Sequence, residues 1–220
     1  MRLVYNFASR SRPDKFFKVL DNIISLAKHD DYEIVCTCDL DDESMFNQTV
    51  IDKVNGYDKV RILFGTSKNK IDAINKNLGL LGEWDILFNV SDDQLFLMEE
   101  FDLEVIKDMQ QNFTDTDFFL HYPDSHAKDK LPTMSIIGKK YFDRTGVVYN
   151  PLFKNVWCDN FAMDEAIFLG KYKFIDKKIF DHYHPVWGMA EWDEQYRRSE
   201  NIASYAEDNA VYLELKKTLI

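Results

Sequence analysis

Two periods alternate along the first half of the chain. Nearly unbroken apolar runs at Leu3 to Phe7, Tyr32 to Cys38, Lys59 to Phe64 and Trp84 to Val90 predict strands buried on both faces. Between them, apolar residues fall at helical spacing. Pro13 and Asp14 suit a first helical turn, and Phe16, Phe17, Leu20, Ile23, Ile24 and Ala27 then form one stripe. Ser44 to Val54 and Lys70 to Leu81 predict two further helices. Strands separated by helices of this length pair in parallel through right-handed crossovers. The expected class is α/β, a Rossmann-like fold with a mainly parallel mixed sheet and helices on both faces.

The second half is less regular. The pattern predicts a helix at Glu99 to Gln111, a strand at Asp117 to His121, a polar loop at Tyr122 to Lys130 and a strand at Thr133 to Gly138. A helix at Trp157 to Leu169, a strand at Tyr172 to Ile179 and two polar helices follow. The charged stretch Glu191 to Glu200 reads as a solvated helix face. With no repeat and no Pro- or Gly-rich linker, one domain over 1–220 is the economical reading.

Composition narrows the class. A chain of 220 residues, 45% hydrophobic and 15% aromatic, buries a sizeable core and is not disordered. Its 38 acidic against 27 basic residues, a net charge of −11, repel nucleic-acid phosphates and anionic membranes. No apolar stretch reaches the ~18 residues of a membrane span. The N-terminal apolar run is too short for a signal peptide. Three cysteines, an odd number, suit a reducing compartment, so a cytoplasmic location is expected. Cys36 and Cys38 are expected on one face of a buried strand rather than as a metal pair. The chain contains neither Gly-x-Gly-x-x-Gly nor Gly-x-x-x-x-Gly-Lys-Ser/Thr, which removes the main support for dinucleotide or P-loop chemistry.

Strand four ends on Ser91-Asp92-Asp93. Open α/β sheets bind ligands at the carboxyl ends of their strands, and hard carboxylate oxygens there suit Mg²⁺ or Mn²⁺ and hence a phosphorylated substrate. The competing reading has Ser91 capping the next helix, with Asp92 and Asp93 favouring its dipole.

Four ordered stretches over roughly residues 1–190 together resemble the GT-A nucleotide-sugar glycosyltransferases, particularly the family-two-like group. They are Ser9-Arg10-Ser11-Arg12-Pro13; Cys38-Asp39-Leu40-Asp41-Asp42; Lys70-x-x-Ala73-Ile74-Asn75 with Asp85 through Asp93; and Tyr141 to Gly146 through Trp157-Cys158-Asp159-Asn160. The third looks like the family's Lys-x-x-Ala-x-Asn helix and Asp-x-Asp metal motif, with Ser91 replacing the first carboxylate. The resemblance implies a metal-dependent, inverting transfer of a sugar from a nucleoside-diphosphate sugar, a UDP-sugar in the first instance, to a carbohydrate or other hydroxyl acceptor. It divides the domain into a donor half (1–95), an acceptor half (96–190) and C-terminal helices (191–220). It also implies that Arg10, Asp39, Asp41, Lys70, Ser91 and Asp92 contact the nucleotide and that Asp93 holds the metal. His182 and His184, alternating in an extended segment, lie on one face, so one imidazole can join Asp93 at the ion. Imidazole with carboxylate favours Mn²⁺. Asp159 resembles the family's base, and N-capping of its helix is the competing reading. Trp157, Trp187 and Trp192 are candidates for stacking on sugar rings, and the loop 122–130 for excluding water. Two other functions stay open: a sugar-nucleotidylyltransferase, and a non-catalytic nucleotide- or carbohydrate-binding module.

Overall fold

A computed structural model describes residues 1–219. Among them, seven strands form the central sheet. Four come from the first half: β1 (Leu3–Ala8), β2 (Tyr32–Asp39), β3 (Val60–Gly65) and β4 (Ile86–Val90). β1 lies between β2 and β4, β3 flanks β2, and all these pairings are parallel. Beyond β4, the order continues through β7 (Ile136–Gly138), β6 (Phe119–His121) and β8 (Tyr172–Phe174); β7 runs antiparallel to both of its neighbours. The sheet is therefore mainly parallel and mixed.

Both sheet faces are covered, which explains the unbroken apolar runs. In β1, Leu3, Tyr5 and Phe7 face one core and Val4 the other; in β4, Ile86, Phe88 and Val90 oppose Leu87. Cys36 and Cys38 share the first core with helix α1 (Pro13–Leu26), as expected of a buried strand face. α2 (Gln48–Asn55) and α4 (Phe101–Asn112) cover the same side, and α3 (Lys70–Asn75) with α6 (Cys158–Phe168) covers the other. A short α5 (Lys139–Phe142) follows β7.

Several boundaries differ from the pattern's prediction for local reasons. The helix expected from Ser44 starts at Gln48, because Asp42 first folds a turn by accepting from Ser44 Oγ at 2.7 Å and from Ser11 N at 2.6 Å. The helix expected to reach Leu81 stops at Asn75. Its Asn75 side chain instead holds the backbone of Val148 and Tyr149, tying the two halves together. The strand expected over 172–179 ends at Phe174, and a separate strand that the pattern does not predict, Phe180–His182 (β9), leaves the main sheet and pairs antiparallel with Gln94–Phe96 (β5). Ser91-Asp92-Asp93 consequently forms a turn into β5 and caps no helix. The capping alternative is thereby overturned. The chain closes with α7 (Glu194–Ser199) and α8 (Ile202–Lys216); residue 220 of the expected C-terminal segment lies outside the described residues. No helix among the described residues is long and apolar enough to cross a membrane.

Candidate functional site

The strand order turns about β1, with β2 on one side and β4 on the other. Ligands of such sheets bind at that switch point, outside the carboxyl ends of the strands. Ser9 and Arg10 follow β1, Asp39 ends β2, and Ser91 follows β4. Two cavities of about 180 and 310 Å³ open there. Arg10, Asp39, Asp92 and Asp93 line the first; Tyr149, Asp159, Asn160 and His182 line the second. Lys70, Ser91, His184 and Glu200 line both, so the cavities are lobes of one cleft.

The paired carboxylates are set apart by their partners. Asp92 accepts from Ser9 Oγ at 2.7 Å and from Arg12 at 2.8 Å. Burial and the neighbouring Asp93 charge raise its pKa against the pull of Arg12. Asp93 accepts from Ser91 Oγ and, at 2.9 Å, from Tyr196 OH, while His182 Nε2 lies 3.3 Å from its Oδ1. Burial acts to raise Asp93, but His182, Ser91 and Lys70 outweigh it and hold the carboxyl well below its usual range. The serine that replaces the expected first carboxylate is thus a donor to the second.

Tyr196 overturns the reading of Glu191 to Glu200 as a solvated face. It is buried in the middle of α7, with Arg12 packed 3.7 Å from its ring centroid. Arg12 also forks onto Asp193 at 2.7 and 2.9 Å. Glu200, just past α7, accepts from His184 Nε2 at 2.8 Å. One signal was available: a lone tyrosine at the centre of a charged helix has no solvent-side reason to be there.

On the far side of the first lobe, Arg10 binds Asp41 bidentately at 2.7 and 2.9 Å and Asp39 at 2.8 Å. Asp39 also accepts from Ser67 N at 2.8 Å, which closes the β3–α3 loop over the cleft. Lys70 opens to solvent at the cleft mouth, although protein walls its ammonium. That burial acts to lower its pKa, and the charges of Asp93, Glu200 and Asp159 more than offset it, so the amine stays protonated.

Asp159 is the second residue of α6, and the N-cap position is Trp157, with φ of 61° and no side-chain cap. The N-capping reading of Asp159 is therefore incorrect. Its carboxylate accepts from Asn160 N at 3.0 Å and faces the second lobe. Burial raises its pKa, against Lys70. The strained left-handed Trp157 is over-determined by neighbours: Asp208 of α8 accepts from the amides of Lys154, Asn155 and Val156, and Trp157 stacks on Tyr212 at 5.1 Å. Trp157 thus packs on α8 while also lining the second lobe, as does the exposed Trp187, and Trp192 is exposed.

Among the described residues, no three His, Cys, Asp or Glu side chains converge as a metal cage. Mg²⁺ and Mn²⁺ at nucleotide sites commonly take one or two protein ligands and complete their shell with phosphate and water. Asp93 Oδ1 and His182 Nε2 fit that smaller requirement, since atoms 3.3 Å apart can share one ion. His184 does not: its Nε2 is on Glu200 and its Nδ1 accepts from Val186 N at 3.3 Å. Of the two expected imidazoles, the β5–β9 ribbon brings His182 to the carboxylate, because Gln94 pairs with His182. The loop 122–130, expected as a water-excluding element, is pinned instead. Asp124 accepts from the amides of His126 and Ala127, and Asp181 from Ser125 N and Oγ.

The fold recurs in solved structures. TarS 1–349 from S. aureus in complex with UDP-GlcNAc superposes with a TM-score of 0.69 at 10% identity, over 94% of this chain and 64% of that one. The Pyrobaculum calidifontis mannosyltransferase PcManGT in complex with GDP-Man and Mn²⁺ matches with a TM-score of 0.62 at 12% identity, over 80% and 54%. The chain adopts the GT-A fold. It spans between 54% and 64% of the length of these two GT-A proteins. A third match is 4-diphosphocytidyl-2C-methyl-D-erythritol synthase from Anaerococcus prevotii, with a TM-score of 0.54 at 14% identity, over 80% of this chain and 86% of that one. No protein-family model and no curated protein matches the sequence.

Proposed function

We propose that this GT-A chain is a glycosyltransferase that moves a sugar from a nucleoside-diphosphate sugar to a hydroxyl of an acceptor, with inversion at the anomeric carbon. The observation that carries the proposal is the two-lobed cleft. Asp93 lies at one lobe, His182 (3.3 Å from it) and the half-buried Asp159 carboxylate of raised pKa lie at the other, and the Lys70 ammonium is shared by both. The donor's nucleotide would sit against Arg10, Asp39, Asp41 and Ser67, and its diphosphate beside Lys70. Ser91 and Asp92 would shape the ribose side of the lobe. A divalent cation held by Asp93 and His182 would supply charge neutralisation of the leaving diphosphate.

Asp159 would take the acceptor proton as the acceptor oxygen bonds to the anomeric carbon. The bond from that carbon to the diphosphate oxygen breaks at the same time, and its electron pair leaves with the nucleoside diphosphate. The Lys70 ammonium, shared by both lobes, would offset charge on the departing phosphate. That PcManGT holds GDP-Man with Mn²⁺ and TarS holds UDP-GlcNAc supports a nucleotide-sugar donor.

The test is calorimetric titration of UDP and of GDP with Mn²⁺ and then with EDTA, followed by turnover of the corresponding sugar nucleotides. Metal-requiring micromolar binding with sugar transfer is expected; binding without any transfer would leave a non-catalytic module. The similarity over 86% of the Anaerococcus prevotii synthase keeps nucleotidylyl transfer as a second reading. Pyrophosphate release from CTP or UTP with a sugar phosphate would establish it. Against it, residues 8–12 lack the Gly-rich loop that this chemistry uses to hold a triphosphate.

A further inference from the structure

His182 has a second neighbour that the proposed chemistry does not use. Its Nδ1 is buried without a hydrogen-bond partner among the described residues, and the nearest carboxylate oxygen is Asp124 Oδ2 at 3.9 Å. Asp124 is 3% exposed and held at three points. Oδ1 accepts from His126 N at 2.8 Å and Ala127 N at 2.5 Å, and Oδ2 accepts from Thr133 Oγ1 at 2.9 Å. On the opposite edge of the ring, Nε2 faces Asp93 at 3.3 Å. The imidazole therefore stands between two carboxylates, one in the cleft and one behind it.

We propose that Asp124 is a positioning residue that accepts a hydrogen bond from His182 Nδ1–H and so aims Nε2 at the cation shared with Asp93. The proposal rests on the glycosyltransferase reading of this cleft. An imidazole that binds a cation through Nε2 must carry its proton on Nδ1, and a buried N–H needs an acceptor. Among the described residues Nδ1 has no hydrogen-bond partner, and a ring movement of about 1 Å closes the 3.9 Å separation from Asp124 Oδ2 to hydrogen-bonding distance. The ring is the part that moves. Asp124 is tethered by its own loop, and that loop is fastened to β9 through Ser125 and Asp181, the residue before His182. The same bonds that make 122–130 a poor lid make it a rigid backstop.

A structural role for Asp124 in capping the loop predicts something different, and a double-mutant cycle separates the two. Mn²⁺ affinity is read from the free-ion EPR signal of the full chain in the presence of UDP, and again with GDP. Asp124→Asn keeps an oxygen for the amides of His126 and Ala127, and it should weaken Mn²⁺ binding roughly 10- to 100-fold. In a His182→Gln background the same substitution should change the affinity less than twofold, since the residue acts through the imidazole. If Asp124→Asn does not fold, Thr133→Val loosens Oδ2 while leaving the amide contacts, and a several-fold loss is expected. Wild-type binding with an unaffected Asp124→Asn overturns this proposal alone, as does an equal loss in both backgrounds. A wild-type chain that binds no Mn²⁺ with either nucleotide removes the functional reading and this one with it.

Discussion

Tyr196 and Asp93 lie 103 residues apart and are joined by a 2.9 Å hydrogen bond in the floor of the cleft. The bond docks the C-terminal helix α7 directly onto the carboxylate proposed to hold the cation. Tyr196→Phe removes the hydroxyl and leaves the ring against Arg12. Because the acceptor is charged and buried, the loss should destabilise the fold by about 1.5–3 kcal/mol, read by chemical denaturation. No measurable change would mean that α7 is not fastened through this bond.

Arg12 ties the same helix from the other side, with Asp92, Asp193 and the Tyr196 ring as partners. A lysine cannot reproduce a fork that serves two carboxylates and stacks on an aromatic face. Arg12→Lys should speed amide hydrogen exchange across Glu194–Ser199 and weaken UDP binding, while exchange in β2 stays slow. Unchanged exchange in α7 would refute the docking role.

Asp159→Asn should lower kcat by about 10²–10⁴ with little effect on donor affinity, measured by calorimetry beside initial rates. A parallel fall in both would contradict its role as base. Burial raises the Asp159 pKa and Lys70 lowers it. The carboxylate form accumulates as pH rises through that raised value, so kcat should show an acid limb above the ordinary carboxylate range. Lys70→Met removes the opposing cation, and the limb should then move further toward neutral pH.

His121 in β6 predicts a pH dependence of stability away from the cleft. Burial lowers its pKa to about 4. The unfolded chain takes up the proton near 6.5. The stabilisation is therefore complete above about 6.5 and is lost as pH falls toward 4. Denaturant midpoints should decline across that window, and His121→Asn should flatten the decline. An unchanged slope would assign the acid sensitivity elsewhere.

What could be read from the sequence alone was whatever repeats locally. The double burial of β1, β2 and β4 shows as unbroken apolar runs, and the alternation with helices implies parallel pairing and a cleft at the strand ends. Ser91-Asp92-Asp93 could be placed there because a strand end can be counted along the chain. The resemblance over residues 1–190 supplied roles for single positions such as Asp159, which spacing cannot do.

Pairings across sequence distance were decided by the tertiary structure. Nothing in Phe180-Asp181-His182 specifies that it leaves the main sheet for Gln94–Phe96, yet that pairing sets His182, rather than His184, against Asp93. Glu191 to Glu200 has the composition of a solvated helix, because composition records average polarity. One buried tyrosine and one arginine partner place it over the site. Hydrophobic periodicity encodes which face of an element is buried; which partner each buried polar group meets depends on how the elements dock, and the carboxylates, imidazoles and guanidinium of this cleft are all of that kind.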